Sequence, residues 1–300
     1  MKRQPQSFTS RQFAKALGVS ESSVKRWVDD GSIAAARTAG GHRRIPLAAA
    51  IGFIRSQRAT VAKPNLLSLE ATPQVGNVDE AAAQQLHDAL VHDRVADARA
   101  IIAGRYLGGA DVASIADNLI RPVLHQLGEL WLHGPEGILL EHRAMDTCVH
   151  ALTEIGSWIP ALPESAPSAV TAGGPGDPYL LPPMLASLVL RECGIRTRNL
   201  GPCTPLETVG IAMSRYGARL SSISIGAAPE PRAEAAWLAL ARSVEQMDGR
   251  IVVGGRCSGA LPAKVRERVR LCASMSELAG YGTGWLEGVR GSRRTRERRS

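Results

Sequence analysis

Residues 168–289 place the tightest constraint on what this chain can become. Five short apolar runs recur there: SAVTAGG (168–174), IRTRNLG (195–201), LSSISIG (220–226), RIVVGG (250–255) and a weaker RLCAS (270–274). Helical patterns alternate with them over 182–194, 205–217, 229–247, 260–269 and 275–288. Strands separated by helices must be joined by crossovers, which predicts a parallel sheet covered on both faces. Ligands of such sheets sit beyond the carboxyl ends of the strands. Those ends are the loops that begin at Gly173, Gly201, Gly226 and Gly254. The first of them, GGPGDPYLLPP (173–183), is rich in glycine and proline and carries a tyrosine, but it lacks the lysine of a P-loop.

Residues 78–160 contain no convincing strand. Their periodicity predicts helices over 79–91, 93–107, 111–131 and 136–157, with LGGAD and HGPEG as breakers. Short loops between helices of this length predict antiparallel neighbours in a four-helix bundle. Residues 59–77, ATVAKPNLLSLEATPQVGN, read as a linker before it.

The segment FTSRQFAKALGVSESSVKRWVDDGSI (8–33) has helix-turn-helix logic. Ser10 is placed to cap a first helix that turns Phe13, Ala14 and Leu17 inward, and Gly18 supplies the turn. Ser20 is placed to cap a second helix whose Val24, Trp27 and Val28 face the core. Ser22, Ser23, Lys25 and Arg26 then face solvent, as short polar and cationic groups do on a helix that enters a major groove. ARTAGGHRRI follows, a glycine turn crowded by Arg37, His42, Arg43 and Arg44, which reads as a phosphate-binding wing.

The charge distribution agrees. Residues 1–60 hold eleven Lys/Arg against three Asp/Glu, and 287–300 hold six Arg against two Glu, although the chain as a whole carries only +8. The body between is therefore acidic, and a basic head and tail around it point to a nucleic-acid partner, which for a helix-turn-helix head is double-stranded DNA. The five cysteines are dispersed without a CxxC pair, the pattern of reduced thiols in a cytoplasmic protein. No apolar run is long enough for a membrane span, and the N-terminus lacks the apolar stretch of a secretory signal.

GVSESSVKRWVDDGSIAAARTAGGHRRI resembles the N-terminal domains of MerR-type regulators and excisionase-like proteins. That resemblance implies a winged helix-turn-helix over 1–58 and a homodimer or homotetramer on an operator. Farther along, LWLHGPEGILLEH places nine residues between Trp131 and Glu141-His142. With the domain order, this unit resembles the cobalamin-binding regulators of the CarH/LitR type. The resemblance implies a mixed α and α/β fold: winged head, four-helix bundle (78–160) and flavodoxin-like, Rossmann-type domain (168–289), then a basic tail (290–300). It implies that Trp131, Glu141 and His142 face the upper side of a corrin. Ser222 or Ser224 and the pair Gly254-Gly255 stand where that family wraps the nucleotide tail. The glycine loop departs from the family's acid-x-His-x-x-Gly signature: Asp177 keeps the acid, but Tyr179 replaces the cobalt-ligating histidine and Pro182 the glycine. Above the ring, Leu132 stands directly after the tryptophan, and His133 is one residue off.

Three readings follow. One is a transcriptional regulator that binds adenosylcobalamin or methylcobalamin without a histidine below cobalt, responding to cobalamin or light. Another is the same architecture with a different tetrapyrrole or planar ligand. A third uses the body as a ligand-free oligomerisation module. A corrinoid-carrier enzyme is the remote alternative, because a DNA-binding head is fused to the body and the cobalt-ligating histidine is missing; no Ser/His/Asp or Cys/His constellation offers a separate catalytic site. His142, Asp146 and His150 share a helix face, but no fourth metal ligand accompanies them.

Overall fold

The structure is a computed structural model and describes residues 7–38, 40–67, 69, 79–129, 134–228 and 233–297. The chain divides into two compact units: Met1–Asp111 with Asn118–Pro160, and Val112–Asp117 with Ala161–Ser300.

The first unit begins with β1 (Ser7–Thr9), α1 (Ser10–Leu17) and α2 (Glu21–Asp29). The hairpin β2 (Ala36–Arg37) and β3 (Arg43–Pro46) follows, then α3 (Leu47–Gln57). The cap of α1 is Thr9 rather than Ser10. Thr9 Oγ1 accepts from the Gln12 N–H at 3.1 Å while Gln12 Oε1 accepts from the Thr9 N–H at 2.9 Å. Ser10 is the first helical residue, so its hydroxyl is one position late for that reciprocal box. Gly18 ends α1 at φ +74°, and Ser20 Oγ caps α2 through the Ser23 N–H at 3.1 Å. Strands β1, β3 and β2 form an antiparallel sheet in that order, which makes the hairpin a wing. Phe13, Val24, Ile45 and Phe53 fill the core, and the Trp27 ring lies 4.8 Å from that of Phe53. The chain from Val61 to Leu67 lies on this head: Leu67 is buried, as is Leu69, and the Lys63 N–H reaches the Ala16 carbonyl at 2.9 Å.

The same unit holds α4 (Asp79–Val91), α5 (Val95–Leu107), α7 (Arg121–Glu129) and α8 (Pro135–Trp158). Each of the four packs on at least two of the others around Leu86, Ile102, Tyr106, Val123, Leu127, Leu152, Ile155 and Trp158. Arg55 of α3 lies over the Tyr106 ring of α5 at 3.5 Å and donates to the Ala110 carbonyl at 3.1 Å. The expected single helix over 111–131 is interrupted: α6 (Val112–Ile115) passes through a π-helical turn at Ala116–Ile120 before α7. Such a turn makes i→i+5 bonds and re-aims the following helix, a break that periodicity cannot reveal.

In the second unit β4 (Ser168–Gly173), β5 (Arg196–Asn199), β6 (Leu220–Ser224), β7 (Arg250–Gly254) and β8 (Arg270–Leu271) form a parallel sheet in the order β5-β4-β6-β7-β8. Numbered within the sheet this is 2-1-3-4-5, the flavodoxin-like order, with its switch point between β4 and β6. On one face α10 (Leu206–Arg215) and α11 (Glu234–Gln246) enclose a core of Val170, Ile223, Ile251, Val253, Met213 and Trp237. On the other, α9 (Leu181–Glu192) covers β4, β5 and β6, and α13 (Met275–Glu297) packs on α9. Only α12 (Ala263–Arg266) forms where 260–269 read as a helix, because Pro262 fixes φ and lacks an N–H to continue from the 3-10 turn at Ser258–Ala260. The α13 backbone stays helical to Glu297, into the stretch read as a tail. Asp117 caps its start, accepting from the Met275 and Ser276 N–H groups at 3.0 and 2.9 Å.

Candidate functional site

The head presents most of its predicted contacts outward. Ser22 and Arg26 are exposed, and Ser23 is half-buried beside the Ser20 cap. Lys25 is exposed and paired with Glu21 at 2.9 Å, one turn back. On the wing, Arg37, His42 and Arg44 are exposed around Gly41, whose φ of +76° makes the turn. Arg43 differs. Its guanidinium is committed to Asp29 of α2, with Nη2 at 2.7 and 2.8 Å from the two carboxylate oxygens and Nε at 3.2 Å from one. This bidentate pair pins the wing to the second helix, so Arg43 positions the cationic surface more than it adds to it. Sequence reasoning put Arg43 and Arg44 in one role; alternation along β3 separates them.

At the switch point of the sheet the polar groups turn on one another. Asp177 is 1% exposed. Its Oδ2 accepts from the Gly226 N–H at 2.6 Å and from Ser224 Oγ at 3.4 Å, and its Oδ1 accepts from the Tyr179 N–H at 3.1 Å. A buried carboxylate held by such donors ties the loop after β4 to the loop after β6. The Tyr179 ring lies against Gly226: a Cβ there would stand 2.7 Å from Tyr179 Cδ2 and 2.9 Å from Asp177 Oδ1. Arg256 closes the arrangement, donating from Nε to the Gly226 carbonyl at 2.6 Å and from Nη2 to the Tyr179 hydroxyl at 3.4 Å. Gly255, at φ +96°, lets the chain pass Ile225, where a Cβ would meet a carbonyl oxygen at 2.5 Å.

Ser222 and Ser224 are buried on the sheet face opposite Val170 and Ile223. Thr171 is in register with Ser222, and its buried Oγ1 has no hydrogen-bond partner. Gly254 pairs with Ser224 at the end of β7. Arg256 and Thr171 were not anticipated. Arg256 is signalled only by standing directly after the glycine pair, at the carboxyl end of a strand.

Glu141 is half-buried and His142 exposed near the start of α8. Trp131, Leu132 and His133 lie outside the described residues. His150 Nδ1 lies 2.9 Å from the Asp146 carbonyl oxygen, and among the described residues no three His, Cys, Asp or Glu converge as a metal site. Of the cysteines, Cys148 is buried in the bundle, and that burial pushes its thiol up to about 12. No described helix is long and apolar enough to cross a membrane.

Residues 7–58 match the helix-turn-helix domain family. The head is a helix-turn-helix domain. No curated protein matches the chain. Among solved structures it is similar to the monomethylamine corrinoid protein of Methanosarcina barkeri, at 16% identity and a TM-score of 0.53, over 69% of this chain and 99% of that one. It also aligns with the methanol:cobalamin methyltransferase complex of Methanosarcina barkeri, at 13% identity and a TM-score of 0.35, over 70% of this chain and 81% of that one. A cobalamin-binding protein from Desulfitobacterium hafniense DCB-2 aligns at 17% identity and a TM-score of 0.35, over 70% of this chain and 98% of that one. The likeness to the monomethylamine corrinoid protein is one of fold: the helix-turn-helix head precedes a corrinoid-protein-like body.

Proposed function

We propose that this protein is a DNA-binding transcriptional regulator whose body is a corrinoid-type sensor that holds cobalamin without a protein imidazole below the cobalt. The observation that carries this reading is the joining of a helix-turn-helix head to a 2-1-3-4-5 sheet with a helical bundle between them, on a corrinoid-protein fold. In the head, Arg26, Arg37, His42 and Arg44 meet phosphates, and Ser22, Ser23 and Lys25 lie nearest base edges. In the sheet, the unpartnered Thr171 hydroxyl beside Ser222 is an orphaned polar atom on the face that α9 covers, and a polar tail entering beneath α9 would satisfy it, which supports the fit. By the family resemblance, Trp131, Glu141 and His142 are further candidate ligand contacts in this reading. When bound, an alkylcobalamin supplies a cobalt–carbon bond that light can break. Regulation then requires that the ligand favour one oligomeric state over another, dimer or tetramer against monomer, with operator affinity following.

A second reading draws on one observation: Tyr179, at the position where the family resemblance puts the cobalt-ligating histidine, lies with Arg256 over Gly226. That closure favours a module that binds another planar ligand, or none, and works by oligomerisation. The two readings separate in one experiment. Purified protein is mixed with adenosylcobalamin in the dark, passed through gel filtration with absorbance detection, and assayed for duplex DNA binding before and after illumination. Co-elution of the corrinoid with a change in DNA affinity supports the first. Absence of both, with full DNA binding, supports the second. Tyr179→His adds an imidazole at the departed position, and under the first reading it shifts the bound corrinoid's spectrum.

A further inference from the structure

We propose a second ligand site, for a small phosphorylated molecule of the nucleoside diphosphate class, at the amino end of the same sheet. A cavity of about 350 Å3 lies there, lined by Arg191, Arg196 and Arg198 together with Ser168, Thr197, Leu162 and Tyr216. Arg196 and Arg198 are two apart on the edge strand β5, so they share one sheet face. Arg191 comes from the last turn of α9. None of the lining residues is acidic, so the cavity concentrates positive charge in an otherwise acidic body.

The geometry is particular to a small anion. Guanidinium groups bind phosphate through paired N–H donors, and three around one cavity match a ligand with more than one phosphate. Arg196 is held by its Nε on the Ala166 carbonyl at 3.1 Å, which fixes the plane of its fork. The Arg198 guanidinium stands 5.3 Å from the Tyr216 ring centroid. Tyr216, 43% exposed, and Leu162 supply the apolar wall on which a ring can lie. The volume is at the low end for a small-molecule site, and a concave cavity excludes a DNA duplex, which needs a ridge or a groove-filling element. The site is independent of what the switch point binds, because the length of β4, roughly 17 Å at ~3.3 Å per residue, separates Ser168 from Gly173.

The test uses full-length protein with ADP, inorganic phosphate and adenosine, read by calorimetry and thermal unfolding. ADP is expected to bind and raise Tm, phosphate to do so more weakly, and adenosine not to register. Arg196→Ala/Arg198→Ala is expected to weaken ADP binding by about tenfold or more while binding to a random-sequence duplex stays unchanged. If the double variant does not fold, Arg198→Lys, which keeps the charge and loses the fork, is expected to weaken ADP several-fold. Failure of ADP and phosphate to bind overturns the proposal, as does ADP binding that survives these substitutions. So does loss of duplex binding in the variants without any ADP binding, which would make the arginines part of the DNA surface.

Discussion

The head and the switch point of the sheet use similar residues in opposite ways. Around the wing, His42 and Arg44 are exposed, Arg37 is exposed and touches Asp29 at 3.4 Å, and Arg43 is held by both oxygens of that carboxylate. Around the switch point, Asp177, Tyr179 and Arg256 satisfy one another and the backbone of Gly226. Both places were marked by glycine turns with charged or aromatic neighbours. The difference shows that such a pattern tells where the chain gathers polar groups, while the partners those groups find decide whether the place is open to a ligand.

Substitutions can break that contrast. The largest effect is expected for Asp177→Ala, which strands the Gly226 and Tyr179 N–H groups in a buried loop. A loss of about 3 kcal/mol in urea unfolding is expected, and a loss below about 1 kcal/mol would mean that the two loops are not held by this carboxylate. Gly226→Ala forces a methyl against the Tyr179 ring and is expected to cost about 2 kcal/mol. Part of that returns when Tyr179→Ala is combined with it, the Asp177 carboxylate still standing close, and a double-mutant cycle with no coupling would remove Tyr179 from that contact.

The head gives a smaller pair of outcomes. Arg44→Ala is expected to reduce the salt dependence of duplex binding by about one counterion, with stability unchanged. Arg43→Ala is expected to lower stability by about 1 kcal/mol through the lost Asp29 pair. Equal salt slopes for the two variants would erase the distinction between them. The smallest effect, up to pH 9, is a pH dependence. Folding raises the Cys148 thiol from 9.0 to about 12, so the unfolded chain releases this proton first. Its contribution is complete below pH 9 and drains away between pH 9 and about 12, a loss under about 1 kcal/mol at pH 9. Cys148→Ala should flatten that part of an alkaline stability curve.

Much of the fold was legible because period and punctuation are local. All five strands of the parallel sheet fall within the runs read for them, and Gly18 and Ser20 bound the turn of the helix-turn-helix as expected. The order of the sheet was reached by resemblance, since alternation fixes parallel pairing but not which strand lies beside which. The site was less legible because its contacts are distant in sequence. Asp177 read as an acid facing a ligand, yet it grips a backbone N–H forty-nine residues away. Nothing in a one-dimensional pattern carries that separation. Arg256 was passed over for the same reason.

The stacking of Arg55 on Tyr106 has a geometric consequence. It couples α3 of the head to α5 of the bundle within one compact unit, with a second tie at the Ala110 carbonyl. The recognition helix is then not on a free tether. Under the proposed dimer, two chains would then present their α2 helices at one set width. Operators for such a pair should tolerate base changes more readily than a half-turn change in spacing, about 5 base pairs, which puts one half-site on the wrong side of the duplex.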